Sequence, residues 1–358
     1  MASEPPSSPS SATQRVGGDR KGGFAREGLQ NIVVLGAGAW GTALAVMLTR
    51  SGHRVTLCAR REEAAREIAA ARENRAHLPD VTLPAQLAVT ASWTNAVAEA
   101  QIVVMAIPSR FARDSMVPVA SAIPHAAIIV SATKGIEADS LKTMTTMLVE
   151  LVPSARAYGA LSGPGFAAEV ARGLPVALVA ASSNAEAARE VQHVFASQSM
   201  RVYAGTDLTG VELCGAAKNV IAVAAGISDG LALGSSARAA VVTRGLAELG
   251  RLIEAAGGRR ETVMGLAGLG DIVLTCTGDL SRNRSFGLAF ARGERNKSEL
   301  VSGGVAEGVF NAKSIRELAR RHGVEMPIVE AVCRTLYEGE SPQAMVDGLL
   351  SRALKSEF

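Results

Sequence analysis

The stretch Ile32-Val33-Val34-Leu35-Gly36-Ala37-Gly38-Ala39-Trp40-Gly41 runs from an apolar, largely β-branched segment straight into G-x-G-x-x-G. Few short strings constrain a fold as tightly. Gly36 permits a tight turn, Gly38 lets the backbone approach a pyrophosphate, and Gly41 allows close packing of helix on strand. The phosphates are then expected at the positive N-terminal end of a helix beginning near Ala39. A second apolar segment, 54–58, follows at the distance a β-α-β unit requires.

The pattern then repeats. Short apolar runs at 31–35, 54–58, 87–90, 102–107, 127–131 and 157–161 read as buried strands, with further strands at 176–180 and 200–203. Ala/Glu/Arg-rich stretches with helical spacing, such as 62–74 and 110–122, lie between them. This alternation predicts a mostly parallel sheet with helices on both faces. After about Thr206 the apolar period becomes helical, over 208–227, 237–256, 305–322 and 328–337, with Gly257-Gly258 and the glycine-rich 265–270 as punctuation. The fold class is therefore an α/β Rossmann-type domain (29–205) followed by an all-helical C-terminal domain (206–358). Two domains also suit a chain of 358 residues. Residues 1–28 are rich in Ser, Pro, Gly and Arg and nearly devoid of large apolar side chains, which predicts a disordered tail.

Bulk properties remove several classes. The net charge is only +3, and Lys and Arg occur mostly singly or in pairs, so no basic tract for nucleic acid is present. Cys58, Cys214, Cys276 and Cys333 are far apart and form no C-x-x-C, against a disulfide framework or zinc site. The histidines show no metal-like spacing, so no metal is assigned. No uninterrupted apolar run reaches the length of a bilayer span, and a signal-peptide core is absent. A cytoplasmic protein is expected. The alanine-rich 237–256 could pack against a second subunit, giving a homodimer.

The chemistry concentrates at a few positions. The strand 54–58 is followed by Arg60 and Arg61, where an NAD site usually carries Asp or Glu. Guanidinium groups there favour a 2′-phosphate, so NADPH is expected, with NADH as the alternative. Lys218 is flanked by Ala216, Ala217, Val220 and Ile221. Burial among them would lower its pKa and fit it to act as a general acid or base, with Asn219 orienting substrate or cofactor. Lys134 follows a strand directly, where open α/β sheets bind ligands. Ser281, Arg282 and Asn283 offer a hydroxyl, a planar donor and an amide for a phosphate monoester, and Asp271 would pair with a lysine or hold a substrate hydroxyl. The residues alone leave open a related dehydrogenase acting on another phosphorylated or hydroxy-acid substrate, and a non-catalytic NADPH-binding sensor. The second reading leaves Lys218, Asp271 and Arg282-Asn283 unexplained.

Over residue 31 to the last helix, the chain resembles the bacterial-type NAD(P)-dependent glycerol-3-phosphate dehydrogenases. The resemblance rests on 36–45 (GAGAWGTALA), 161–173 (LSGPGFAAEVARG), 213–231 (LCGAAKNVIAVAAGISDGL), 243–252 (TRGLAELGRL), 265–277 (GLAGLGDIVLTCT) and 281–287 (SRNRSFG). It implies reversible reduction of dihydroxyacetone phosphate to sn-glycerol 3-phosphate for phospholipid synthesis, and a helical domain similar to that of 6-phosphogluconate dehydrogenase. It further implies Lys218 as proton donor and acceptor, and Lys134, Gly163, Asp271, Ser281, Arg282 and Asn283 as substrate contacts. Ala39, Trp40, Arg60, Lys134, Ala167, Arg282, Val305 and Glu307 fall on cofactor contacts. Gly165 replaces the Ser or Thr usual in such chains, leaving only backbone N–H groups to meet substrate there.

Overall fold

A computed structural model describes residues 28–294, 306–354 and 356. The expected tail, apart from Gly28, and Val305 lie outside the described residues. The strands are β1 (Asn31–Leu35), β2 (Arg54–Cys58), β3 (Glu73–Asn74), β4 (Leu78–Thr82), β5 (Ala88–Thr90), β6 (Ile102–Met105), β7 (Ile128–Ser131), β8 (Ala157–Ser162), β9 (Val176–Ala181) and β10 (Met200–Gly205). Eight of them form one sheet in the order β10-β9-β8-β7-β6-β1-β2-β5, and every neighbouring pair but β8–β9 is parallel. The chain winds from β1 toward β5, then returns to the other side of β1 with β6. Beyond the carboxyl ends of β1 and β6 lies the switch point at which such sheets hold ligands.

Alternate residues along the strands face opposite layers of helices. Ile32, Val34, Ile102 and Val104 pack with α1 (Ala39–Arg50), α2 (Glu62–Ala71), α6 (Ala167–Arg172) and α7 (Ala185–Phe195). Val33, Leu35, Val103 and Met105 pack with α3 (Trp93–Val97), α4 (Ser109–Met116) and α5 (Met144–Leu151). Burial on both faces explains why these strands read as continuous apolar runs rather than as alternating ones.

A third core surrounds α8 (Leu208–Gly230), packed by α9 (Gly234–Ala255), α10 (Asp271–Thr277), α11 (Arg282–Ala291), α12 (Glu307–Arg321), α13 (Pro327–Cys333) and α14 (Pro342–Leu350). By length and apolarity α8 would cross a membrane, but its apolar stretch is wholly buried in this protein. It is the axle of a helical core.

Two expected helices stop early. The periodicity predicts helix over 62–74, yet α2 ends at Ala71 and Arg72 takes φ +49°. Arg72 donates to the carbonyl of Leu87 at 3.0 Å. Asn74 is 1% exposed, and its amide donates to Ala37 O and Thr42 Oγ1, both at 2.8 Å. These tertiary bonds outweigh helix propensity and form the β3–β4 hairpin, which sequence patterning misses. The second is 110–122, where α4 gives way to a 3₁₀ turn over Val117–Ala122. Pro118 supplies no N–H to continue the helix.

The fingerprint turn has little freedom. Gly36 adopts φ +110°, and a β-carbon on Gly41 would lie 2.0 Å from Gly36 O. Asn74 braces this turn from outside. Asn74→Ala should therefore cost about 1–3 kcal/mol of stability, the penalty of leaving buried partners unpaired, and weaken dinucleotide binding. Urea midpoints and cofactor fluorescence titrations check both. Lost stability with unaltered cofactor affinity would confine Asn74 to packing.

Candidate active site

The carboxylate of Asp271 is wholly buried and joins two lysines from different parts of the chain. Lys218 Nζ lies 2.6 Å from Oδ1, and Lys134 Nζ lies 2.6 Å from Oδ2. Asp271 opens α10 immediately after a π-helical turn at Leu266–Gly270. Lys134 follows β7 at the carboxyl edge of the sheet and also donates to Gly163 O at 3.1 Å. Lys218 lies midway along α8, is 7% exposed, and donates to Thr275 Oγ1 at 2.8 Å. The Thr275 hydroxyl in turn donates to Asp271 O at 2.6 Å, so its oxygen is left to accept from Lys218.

Burial is the largest influence on Lys218 and lowers its pKa to about 8. Asp271 opposes that shift, while the like charge of Lys134 adds to it. The outcome is an amine that exchanges its proton near neutrality. Charge extends from this triad toward the dinucleotide turn, since Lys134 Nζ stands 5.8 Å from the centre of the Trp40 ring. Trp40 belongs to the first turn of α1, and its buried indole Nε1 has no partner among the described residues. The close Gly36–Gly41 packing, the α1 N-terminus and this unused donor together fit a bound dinucleotide.

Ser281, Arg282 and Asn283 start α11, but their groups have different tasks. Ser281 Oγ accepts from Arg284 N at 3.2 Å and caps the helix. Arg282 is exposed. Asn283 donates to Asn219 Oδ1 at 2.9 Å and accepts from Gly308 N at 2.8 Å, tying α8 to the first turn of α12. Glu307 stands in that first turn, its carboxyl pKa raised by burial and lowered less strongly by Arg282, Lys218, Lys134 and Arg110. Arg284 pairs with Asp229 at 2.7 Å and has a structural place. A β-carbon on Gly165 would meet Val176 Cγ2 at 3.3 Å and Trp40 Cη2 at 3.4 Å. Ala167 and Ala39 open α6 and α1. Arg60 and Arg61 stand exposed beyond β2, with the Arg60 guanidinium 5.7 Å from the centre of the Phe111 ring. Thr275, Asn74 and Asn311 escaped the sequence reading, for each acts through a tertiary bond with no local spacing to betray it. Among the described residues no cluster of His, Cys, Asp or Glu is placed to hold a metal ion.

Comparison with known proteins agrees with this geometry. Residues 31–188 and 207–347 match the N-terminal and C-terminal models of NAD-dependent glycerol-3-phosphate dehydrogenase. The glycerol-3-phosphate dehydrogenase [NAD(P)+] of Citrifermentans bemidjiense is 47% identical over 332 residues, covering 92% of this chain and 99% of that protein. Its counterpart in Syntrophotalea carbinolica is 48% identical over 335 residues, with coverage of 92% and 99%. The crystal structure of glycerol-3-phosphate dehydrogenase from Coxiella burnetii superposes with a TM-score of 0.86 at 38% identity, over 90% of this chain and 99% of that one. With its parallel sheet, its helical second core and a buried lysine–carboxylate–lysine centre, the chain belongs to the NAD-dependent glycerol-3-phosphate dehydrogenase family and is an NAD(P)-dependent oxidoreductase.

Proposed function

We propose that this chain reduces dihydroxyacetone phosphate to sn-glycerol 3-phosphate, with Lys218 as the group that gives and takes the proton. Its burial beside Asp271 and Thr275 is the single observation that carries this assignment. When bound, NADPH supplies a hydride to C2 of the ketone. Negative charge then develops on the C2 oxygen, and Lys218 donates a proton to it, leaving a secondary alcohol. In the reverse direction the neutral amine takes the hydroxyl proton. Lys134 and Asp271 fix the position of that amine, and Lys134 offers positive charge to the substrate. Arg282, exposed at the start of α11, and Asn283 beside Asn219 hold the phosphate. Gly36, Gly38, Gly41, Ala39, Trp40, Ala167 and Glu307 would hold the dinucleotide, and Arg60 and Arg61 would supply charge for its 2′-phosphate. We read the site as lying between a dinucleotide domain (29–205) and a helical domain (206–358). The setting is the cytosol, the outlet is glycerophospholipid synthesis, and assembly is a homodimer through α9, which light scattering checks.

Removing Lys218 tests the assignment. Lys218→Ala should lower kcat for dihydroxyacetone phosphate by about 10²- to 10⁴-fold, the usual contribution of a positioned proton donor. NADPH oxidation at steady state measures it, and near-normal turnover would take Lys218 out of the chemistry. The pH dependence has a definite sign. Reduction needs the ammonium, so kcat/KM for the ketone should fall as pH rises through about 8, while oxidation should rise over the same interval. Asp271→Asn removes the charge that favours the ammonium and should move both limbs to lower pH; limbs that stay in place, or move up, contradict the triad. At the other end of the cofactor, Arg60→Asp should shift the NADPH-to-NADH ratio of kcat/KM toward NADH. A ratio that does not move would place the 2′-phosphate elsewhere.

A further inference from the structure

The two lysines reach Asp271 from separate elements, so their backbones must be held in register. One side chain spans both. Asn311, on α12, is 2% exposed, and its amide nitrogen lies 3.2 Å from Lys134 O and 3.4 Å from Ala216 O. Ala216 precedes Lys218 by two residues on α8. The loop after β7 is squeezed at this point. A β-carbon on Gly135 would lie 2.4 Å from Ser109 Oγ and 3.1 Å from Asn311 Oδ1. Asn311 therefore closes on the Lys134 loop with its oxygen against Gly135 and its nitrogen on the preceding carbonyl.

We infer that Asn311 is a positioning residue for the reaction: its amide cross-links the loop carrying Lys134 to the helix carrying Lys218 and so sets how the two ammonium groups share Asp271. The inference rests on the function proposed above. Asn311 acts through the main chain, by its bonds to the carbonyls of Lys134 and of Ala216. Both hydrogen bonds use a single –NH₂ group, so a side chain of similar shape without that donor releases both together. The loop is then free to drift from α8, and Lys134, as the more exposed partner, departs first.

Asn311→Leu keeps the approximate volume and removes the donor; Asn311→Asp keeps the shape and sets a carboxyl against two carbonyl oxygens. Ile315→Val, one turn along the same buried face of α12, serves as a control for loosened packing. Both Asn311 variants should raise KM for dihydroxyacetone phosphate about tenfold, as expected for one net hydrogen bond's worth of alignment. KM for NADPH should rise less than that for the ketone, because Lys134 meets the dinucleotide side only across the Trp40 ring at 5.8 Å. The alkaline limb of kcat/KM should also move upward. The charged neighbours of Lys218 are Asp271 and Lys134, and the other titratable groups about it are Glu307 on α12 and the Cys276 thiol on α10, whose pKa burial raises. Of these, Lys134 is the cation whose departure relieves the downward pressure. If Asn311→Leu does not fold, Asn311→Asp carries the test by the same readouts. Kinetics indistinguishable from Ile315→Val, or equal rises in both KM values, would overturn the inference and reduce Asn311 to packing. Wild-type protein inactive on dihydroxyacetone phosphate would instead overturn the function on which the inference rests.

Discussion

A carboxylate with an ammonium on each oxygen is the constraint around which the site is organised. Removing an ion from water costs several kcal/mol even after relaxation, and a buried pair recovers that cost only with good geometry and satisfied hydrogen bonds. Asp271 meets that condition, for Oδ1 faces Lys218 and Oδ2 faces Lys134, each at 2.6 Å. Lys218 adds Thr275 and Lys134 adds Gly163 O. Because the partners come from the loop after β7, from α8 and from α10, the triad forms only when sheet and helical core are both in place. With both lysines protonated it carries one net positive charge, the sign that suits a phosphorylated substrate.

The dinucleotide turn depends on the same junction. β1 and β6 end side by side, and Gly36 packs so closely on the chain after β6 that a β-carbon there would lie 2.6 Å from Ala106 O. α1 then carries Trp40 toward Lys134. Thus Lys134, in the loop that follows β7, faces the cofactor turn on one side and, through Asp271, the proton-exchanging lysine on the other. Placement at the sheet's switch point, rather than any special property of Lys134, gives it both neighbours.

The fold was legible because its signals are local. Apolar runs of strand length between amphipathic stretches place the large sheet, and β1 and β2 have the bounds their composition suggests. The lysine in the apolar stretch around Ala216 and Ile221 was also visible, since a charge there is anomalous without a partner. The partner itself was only partly so. The sequence alone gives Asp271 one lysine or a hydroxyl as partner, whereas it faces two lysines, a fact set by the packing of α10 on α8. Asn74 and Asn311 were illegible for a related reason. Each is an amide whose hydrogen bonds reach across more than 30 residues, and nothing in its immediate sequence separates it from a surface asparagine.

The same burial that lowers Lys218 also explains why one amine can serve both directions of a reversible reaction. A lysine in water holds its proton so firmly that it is a poor acid at neutral pH, and its neutral form is too rare to act as a base. Desolvation disfavours the ammonium and pushes the amine down. Asp271 limits that fall, and Lys134 trims the effect of Asp271. Proton-transfer efficiency is greatest when the pKa of the group lies near the working pH, and at about 8 Lys218 populates both forms there. An uncharged residue in place of Lys134 would leave Asp271 to stabilise the ammonium unopposed, weakening the acid. In place of Asp271 it would leave two cations facing each other in a dry site. The balance therefore needs both neighbours, and it accounts for an arrangement of three charges where a single buried ion pair would have satisfied packing alone.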